Sequence, residues 1–197
     1  MRLPRDFYDR PTLEVARDLL GRELVRVVDG VELAARIVET EAYCGPSDSA
    51  CHAAKGRTKR TEVMFGPPGH AYVYFTYGMH WLLNTVTEAE GSACAVLVRA
   101  VEPVRGLEAI RKNRPGRPPR ELTSGPARLT KALAIDGAFN CVDLVRHDAL
   151  FLTAGEPVDD AAVTASARVG IDYAEPVDRD APWRFFVAGN RHVSKAR

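Results

Sequence analysis

Glu39, Glu41 and Tyr43 stand at alternate positions in RIVETEAYCGPSDSACH, the run from Arg36 to His52. Side chains alternate along a strand, so Ile37, Glu39, Glu41 and Tyr43 are expected on one face and Val38, Thr40 and Ala42 on the other. Glutamate is a poor strand former. An apolar strand that runs into carboxylates, and then into a loop ending in histidine, therefore points to chemistry. A carboxylate can deprotonate a water or stabilise positive charge developing on carbon. Carboxylates at i and i+2 of one strand lie about 7 Å apart at Cα, so a paired-acid site is also sterically open.

A second constellation lies in YVYFTYG, residues 72–78. Tyr72 and Tyr74 share a strand face, and core packing accounts for Tyr72, Val73 and Phe75. Tyr77 is at odd spacing from them and precedes Gly78, the residue that permits a turn. A large ring at a hairpin tip has little core to enter. Beside basic segments, an exposed aromatic of this kind can stack on bases or wedge between them.

Those basic segments exist although the formal net charge is only +1. Lys55, Arg57, Lys59 and Arg60 form one cluster, and from Arg105 to Lys131 eight bases, Arg128 and Lys131 among them, face two acids. Asp136 to Asp180 reverses the balance, with ten acids and three bases. Segregation of this kind can turn one face to a polyanion and another to water.

The elements that must position these residues read as a mixed α/β (α+β) domain of antiparallel hairpins and a few helices. A helix is expected over Pro11 to Leu20, stopped by Gly21. ELVRVVDGVELAARIVETEAY is a hairpin about Asp29-Gly30, a favoured type I′ turn, so the glutamates lie on its second arm. HAYVYFTYGMHWLLNTV is a second hairpin turning near Gly78, and ACAVLVRAV is a buried strand. Helices are expected at Val104 to Asn113 and Ala127 to Ala134, the latter introduced by Ser124-Gly125-Pro126, whose exposed start could hold a phosphate. Strand-like ALFLTA and WRFFVAG follow.

At 197 residues and 46% hydrophobic the chain can bury one core, and 1–197 is read as a single domain. No apolar run approaches the roughly 20 residues of a membrane span, and the charged start MRLPRDFYDR lacks a signal peptide's apolar segment. A cytoplasmic protein is expected. Cys44, Cys51, Cys94 and Cys141 form no CxxC pair and read as reduced thiols. Cys44, Cys51 and His52 lack a fourth donor at zinc-ligand spacing.

VETEAYCGPSDSACH, MFGPPGHAYVYFTYGMHWLLN, VLVRAVEP and LTSGPARLTKAL, and more loosely ARVGI to RFFVAGN, resemble the alkyladenine (3-methyladenine) DNA glycosylase family over nearly the whole chain. The resemblance implies a single mixed α/β domain with a curved antiparallel sheet and a protruding hairpin. It implies excision of alkylated or deaminated purines from duplex DNA, with the damaged nucleotide flipped into a pocket. By the same resemblance Glu41 is the general base that activates water, and Arg99 helps to hold both. Tyr77 fills the gap left in the duplex. Tyr43, His52 and Tyr74 enclose the extruded base, and Asn84 lies on the pocket wall. One departure follows His52: where members commonly carry Arg-Asn before Met-Phe, this chain has Arg60-Thr61.

Cleavage of an N-glycosidic bond builds positive charge on the sugar, and one carboxylate suffices when the leaving base is already cationic. Stacked tyrosines favour a cationic ring by cation–π attraction. A neutral lesion such as hypoxanthine needs further help, for which the sequence names no group. No metal or cofactor is required. The two glycosylase motifs hold no lysine for a Schiff base, so a monofunctional enzyme leaving an abasic site is expected. Double-stranded DNA with damaged purines is the expected partner, contacted through Lys55, Arg57, Lys59, Arg60, Arg128 and Lys131. No membrane or obligate protein partner is expected, and the chain is read as a monomer associated with the nucleoid when bound to DNA. The competing readings are a metal-dependent nuclease or glycosidase using Glu39 with Glu41, and a non-catalytic nucleic-acid-binding module.

Overall fold

The computed structural model describes residues 1–195. Its centre is one eight-stranded antiparallel sheet built from β1 (Glu23–Val28), β2 (Val31–Cys44), β3 (Ala71–Thr76), β4 (His80–Thr87), β5 (Cys94–Arg105), β6 (Leu150–Thr153), β7 (Val163–Ser166) and β8 (Arg184–Val187). The path runs β3-β4-β5-β2-β1-β6, and β8 joins β2 beyond the end of β1, carrying β7. Helices α1 (Arg5–Tyr8), α2 (Thr12–Asp18), α3 (Leu107–Asn113), α4 (Pro126–Ala132) and α5 (Pro176–Arg179) surround it. The expected mixed α/β class and both hairpins are present.

The Asp29-Gly30 turn has both residues at positive φ, 49° and 77°, as a type I′ turn requires. Helix α3 starts later than expected. β5 runs on to Arg105, and Gly106 at φ 71° turns the chain. A Cβ there would stand 2.8 Å from Glu32 O, so the close approach to β2 needs glycine.

Strand β2 departs from simple alternation. Its register with β5 shifts between Ile37 and Glu39 and shifts back between Glu39 and Thr40. Val38 is the extra residue on β2, and Arg99 is the extra residue on β5 between Val98 and Ala100. Ile37 therefore enters the main core with Leu33, Ala35 and Ala42, while Thr40 turns its hydroxyl to Ala16 O of α2 at 2.7 Å. The expected shared face of Ile37 with the glutamates is thus corrected: one bulge reverses the parity. Glu39 and Glu41 stay together on the side away from α2, and the bulge on β5 puts Arg99 opposite them.

A second apolar cluster, Cys51, Ala53, Met64, Tyr72, Val86, Ala93 and Ala95, backs the β3–β4 hairpin. Tyr72 and Val73 are buried as expected, but Phe75 is 44% exposed and lies against Trp81 at 4.7 Å between ring centroids. It sits near the protruding tip, beyond the reach of the core.

Candidate active site

The sheet holds a buried charge network at its centre. Glu39, Glu41, Arg99 and Arg184 are all buried. Arg99 Nε donates to Glu39 Oε1 at 3.1 Å, and its Nη1 lies 3.3 Å from Glu41 Oε1. Arg184 Nε from β8 donates to Glu39 Oε1 at 2.7 Å. Ser194 closes the network, giving its N–H to Glu39 Oε2 at 2.6 Å and its hydroxyl to Oε1 at 2.8 Å. Two guanidiniums balance two carboxylates, which is what permits burial of all four.

Glu41 has no exposed surface, yet all its contacts are specific. Val169 N–H donates to Oε1 at 2.7 Å and the Tyr43 hydroxyl donates to Oε2 at 2.9 Å. Burial raises its pKa above the ordinary carboxylate value, against the pull of Arg99, the Val169 N–H and the Tyr43 hydroxyl. Arg99 is held firmly charged by the two glutamates, which outweigh its burial.

Tyr43, Arg99 and Val169, the three partners of Glu41, line a cavity of about 620 Å³. That volume lies within the range of small-molecule sites. His52, Tyr74 and Asn84 line the same cavity, and so do Tyr77, Lys55 and Arg60. The structure thus gathers Tyr43, His52, Tyr74 and Asn84 around one cavity, from β2, the segment after it, β3 and β4, while Glu41 is fully buried behind its partners and does not itself line it. Arg57, Lys59, Arg128 and Lys131 are exposed outside it. Arg128 borders a neighbouring concavity with Arg99, Arg120, Arg191 and Lys195.

The aromatic wall is tightly fixed. Tyr72 and Tyr74 stand 5.2 Å apart between centroids, and His52 meets Tyr74 edge-on at 4.7 Å. His52 Nδ1 lies 2.9 Å from the Tyr72 hydroxyl. Burial, then Arg60 and Lys55, lower its pKa to about 4, so the imidazole is neutral at pH 7. Asn84 Nδ2 donates to Tyr72 O at 3.0 Å, which ties β4 to β3 and fixes the amide in the wall.

Tyr77 is 85% exposed, with φ at 51°. Gly78 follows at 67°, and Met79 N–H bonds Thr76 O at 3.2 Å, giving a tight tip. Positive φ is costly for a bulky residue. Thr61, the departure noted above, is buried and anchors the loop with its own hydroxyl, which donates to Gly56 O at 2.9 Å and accepts from Thr58 N–H at 2.8 Å.

Sequence reasoning missed the opposite wall. Arg168 and Asp48 form a bidentate pair at 2.6 and 2.9 Å, and both side chains are fully buried. Arg168 Nη1 also bonds Ala42 O, so it locks the 42–50 segment to the loop that presents Val169. Ser49 N–H to Asp178 and the Tyr173 hydroxyl to Ala50 O complete the clasp. ARVGI lies in the acid-rich stretch, which hid its role; its loose match to the family was the one signal. Among the described residues no three His, Cys, Asp or Glu side chains converge as metal ligands would. Cys51 Sγ lies 3.9 Å from Ala93 O, while His52 turns to Tyr72.

The family model described as Methylpurine-DNA glycosylase (MPG) matches residues 6–191. A protein of Carboxydothermus hydrogenoformans named "Putative 3-methyladenine DNA glycosylase" is 53% identical over 195 residues, 99% of this chain and 100% of the relative. Proteins of the same name from Methanocella arvoryzae and Myxococcus xanthus are each 52% identical, covering 98% of this chain and 96% and 93% of their own lengths.

Proposed function

The chain belongs to the methylpurine-DNA glycosylase family of DNA-repair enzymes, and we propose that Glu41 and the aromatic cavity above it excise flipped, alkylated purines from duplex DNA. The observation that carries this reading is the fixed carboxylate whose partners Tyr43, Arg99 and Val169 line an aromatic cavity.

In this reading the damaged nucleotide turns out of the duplex, and its base enters between Tyr43 and the His52–Tyr74 wall. Tyr77 occupies the vacated stack. As the C1′–N9 bond breaks, positive charge grows on the sugar and Glu41 stabilises it. Water enters on the Tyr43 side of Glu41. Loosening of the 2.9 Å Tyr43 contact frees Oε2, while the Val169 N–H keeps Oε1 in place. Water then adds at C1′ and its proton passes to Glu41. The two glycosylase motifs hold no lysine for a Schiff base, so the product is an abasic site. Residues 1–197 act as a single glycosylase domain working as a monomer. Lys55, Arg57, Lys59, Arg128 and Lys131 face the phosphates, and their contribution falls with salt; Arg60, expected among them, lies over Tyr74 in the cavity wall instead.

The test is incubation of the purified protein with duplex DNA containing 3-methyladenine, followed by chromatography of released bases. Free 3-methyladenine and an uncut abasic strand are expected, with the rate unchanged by chelator. Intact substrate after prolonged incubation with folded protein would overturn the reading, and activity abolished by chelator would restore the nuclease.

A further inference from the structure

The residues lining the cavity include three cations, Lys55, Arg60 and Arg99, and no aspartate or glutamate. Glu41 lies behind them and is paired with Arg99. Both rings that would face a bound base already carry a guanidinium. Arg60 Cζ lies 4.9 Å from the Tyr74 centroid, and Arg168 Cζ lies 4.8 Å from that of Tyr43. The cation–π attraction that would draw a positively charged purine is therefore already engaged by the protein's own charges.

Of these cations, Arg99 is locked by the glutamates and Arg168 by Asp48. Arg60 is different. It is exposed, has no ion-pair partner among the described residues, and is held by its stacking over Tyr74 and by one long hydrogen bond, Nη2 to Phe75 O at 3.5 Å. Its guanidinium lies over the Tyr74 ring, in the cavity wall that a bound base would meet. It can only donate hydrogen bonds and never gives up its proton at ordinary pH.

We infer that Arg60 widens substrate choice in this cavity, promoting excision of neutral purines with carbonyl or ring-nitrogen acceptors, such as hypoxanthine, beside the N-alkylated purines that carry a positive charge. The inference rests on the glycosylase reading above and deepens it. A cationic base leaves as a neutral molecule and asks little of the site. A neutral base leaves with the electron pair of the C1′–N9 bond, so negative charge spreads over its ring nitrogens and carbonyl. Arg60 is placed to hold that charge without transferring a proton. Water supplies hydroxide to C1′ and a proton to Glu41, and the departing purine anion takes its proton from solvent. His52, neutral and bonded to Tyr72, supplies no imidazolium for the purpose.

The experiment is single-turnover excision, at saturating enzyme, of hypoxanthine and of 3-methyladenine from otherwise identical duplexes. Wild type, Arg60→Gln and Arg60→Lys are compared. In Arg60→Gln the ratio of hypoxanthine to 3-methyladenine rates should fall by about tenfold or more, below the usual loss for a donor rigidly aimed at developing charge. Arg60→Lys, which keeps the charge, should restore most of the ratio. An unchanged ratio in Arg60→Gln, or a lysine variant no better than glutamine, would overturn the inference while leaving the glycosylase reading intact. Absence of release of either base by wild type would instead sink that reading.

Discussion

Tyr43 donates its hydroxyl to Oε2 of Glu41 from two residues further along the same strand, at 2.9 Å. The bond favours the ionised glutamate, whereas burial raises its pKa more strongly. A general base works only when deprotonated, so excision should fall as pH drops through a value above the ordinary 4.5. Tyr43→Phe removes one of the groups that lower the pKa and should move this acid limb further up. The check is a single-turnover pH profile of both proteins; a limb at or below 4.5 would remove Glu41 as the titrating group. Glu41→Gln should lose ~10²–10⁴-fold in rate while binding lesion DNA nearly as well as wild type.

Glu39 carries more structure than chemistry. It accepts from Arg99, Arg184 and Ser194, all buried or nearly so. Glu39→Ala leaves two buried guanidiniums short of a carboxylate and should destabilise the fold by about 3–5 kcal/mol. Urea denaturation of wild type and variant measures this, and a loss under about 1 kcal/mol would place the variant among ordinary surface pairs and contradict the network.

At the hairpin tip, stability and activity should separate. Tyr77 sits at φ 51° with no packing to recover the strain. Tyr77→Gly should leave the fold as stable as wild type or more so, by about 1 kcal/mol. It should nevertheless slow excision from matched duplex, because nothing fills the vacated stack. The defect should shrink when the lesion is mispaired, where flipping costs less. Thermal melts with excision assays on both duplexes decide it: equal defects would make Tyr77 structural.

Asn84 is held by Tyr72 O with its amide in the cavity wall, so it both ties the hairpin and limits the cavity. A fixed polar group there can refuse guanine's 2-amino group by crowding it or leaving it without an acceptor. Asn84→Ser should raise guanine release relative to 3-methyladenine, most clearly from mispairs. An unchanged ratio in a folded variant would confine Asn84 to tying the strands.

The sequence made the hairpins legible because their signals are local: Asp29-Gly30 for one turn and Tyr77-Gly78 for the other. Glu41, Tyr43, Tyr74 and Tyr77 could be placed by spacing and family likeness together. Bulges carry no such signal, since Val38 and Arg99 look like ordinary strand residues, and alternation alone therefore puts Ile37 on the wrong face. The Arg168–Asp48 pair was invisible because its partners are 120 residues apart and each sits in a polar stretch. Strand β7, four residues of small and β-branched type, is defined by its pairing with β8 rather than by any pattern of its own.

The Ser194–Glu39 contact spans 155 residues of chain. At the usual 5–20 residues added per second, a ribosome that has just made Glu39 needs roughly 8–30 s more to make its last partner. Over the first 60 of those residues β2 carries its glutamates without Arg99, over the first 145 without Arg184, and to the last without the serine. A nascent chain can form the two hairpins early, but it cannot close the charge network around Glu39 until residue 194 has emerged. The charge network beside Glu41 is therefore complete only once residue 194 has been made, after every strand of the sheet.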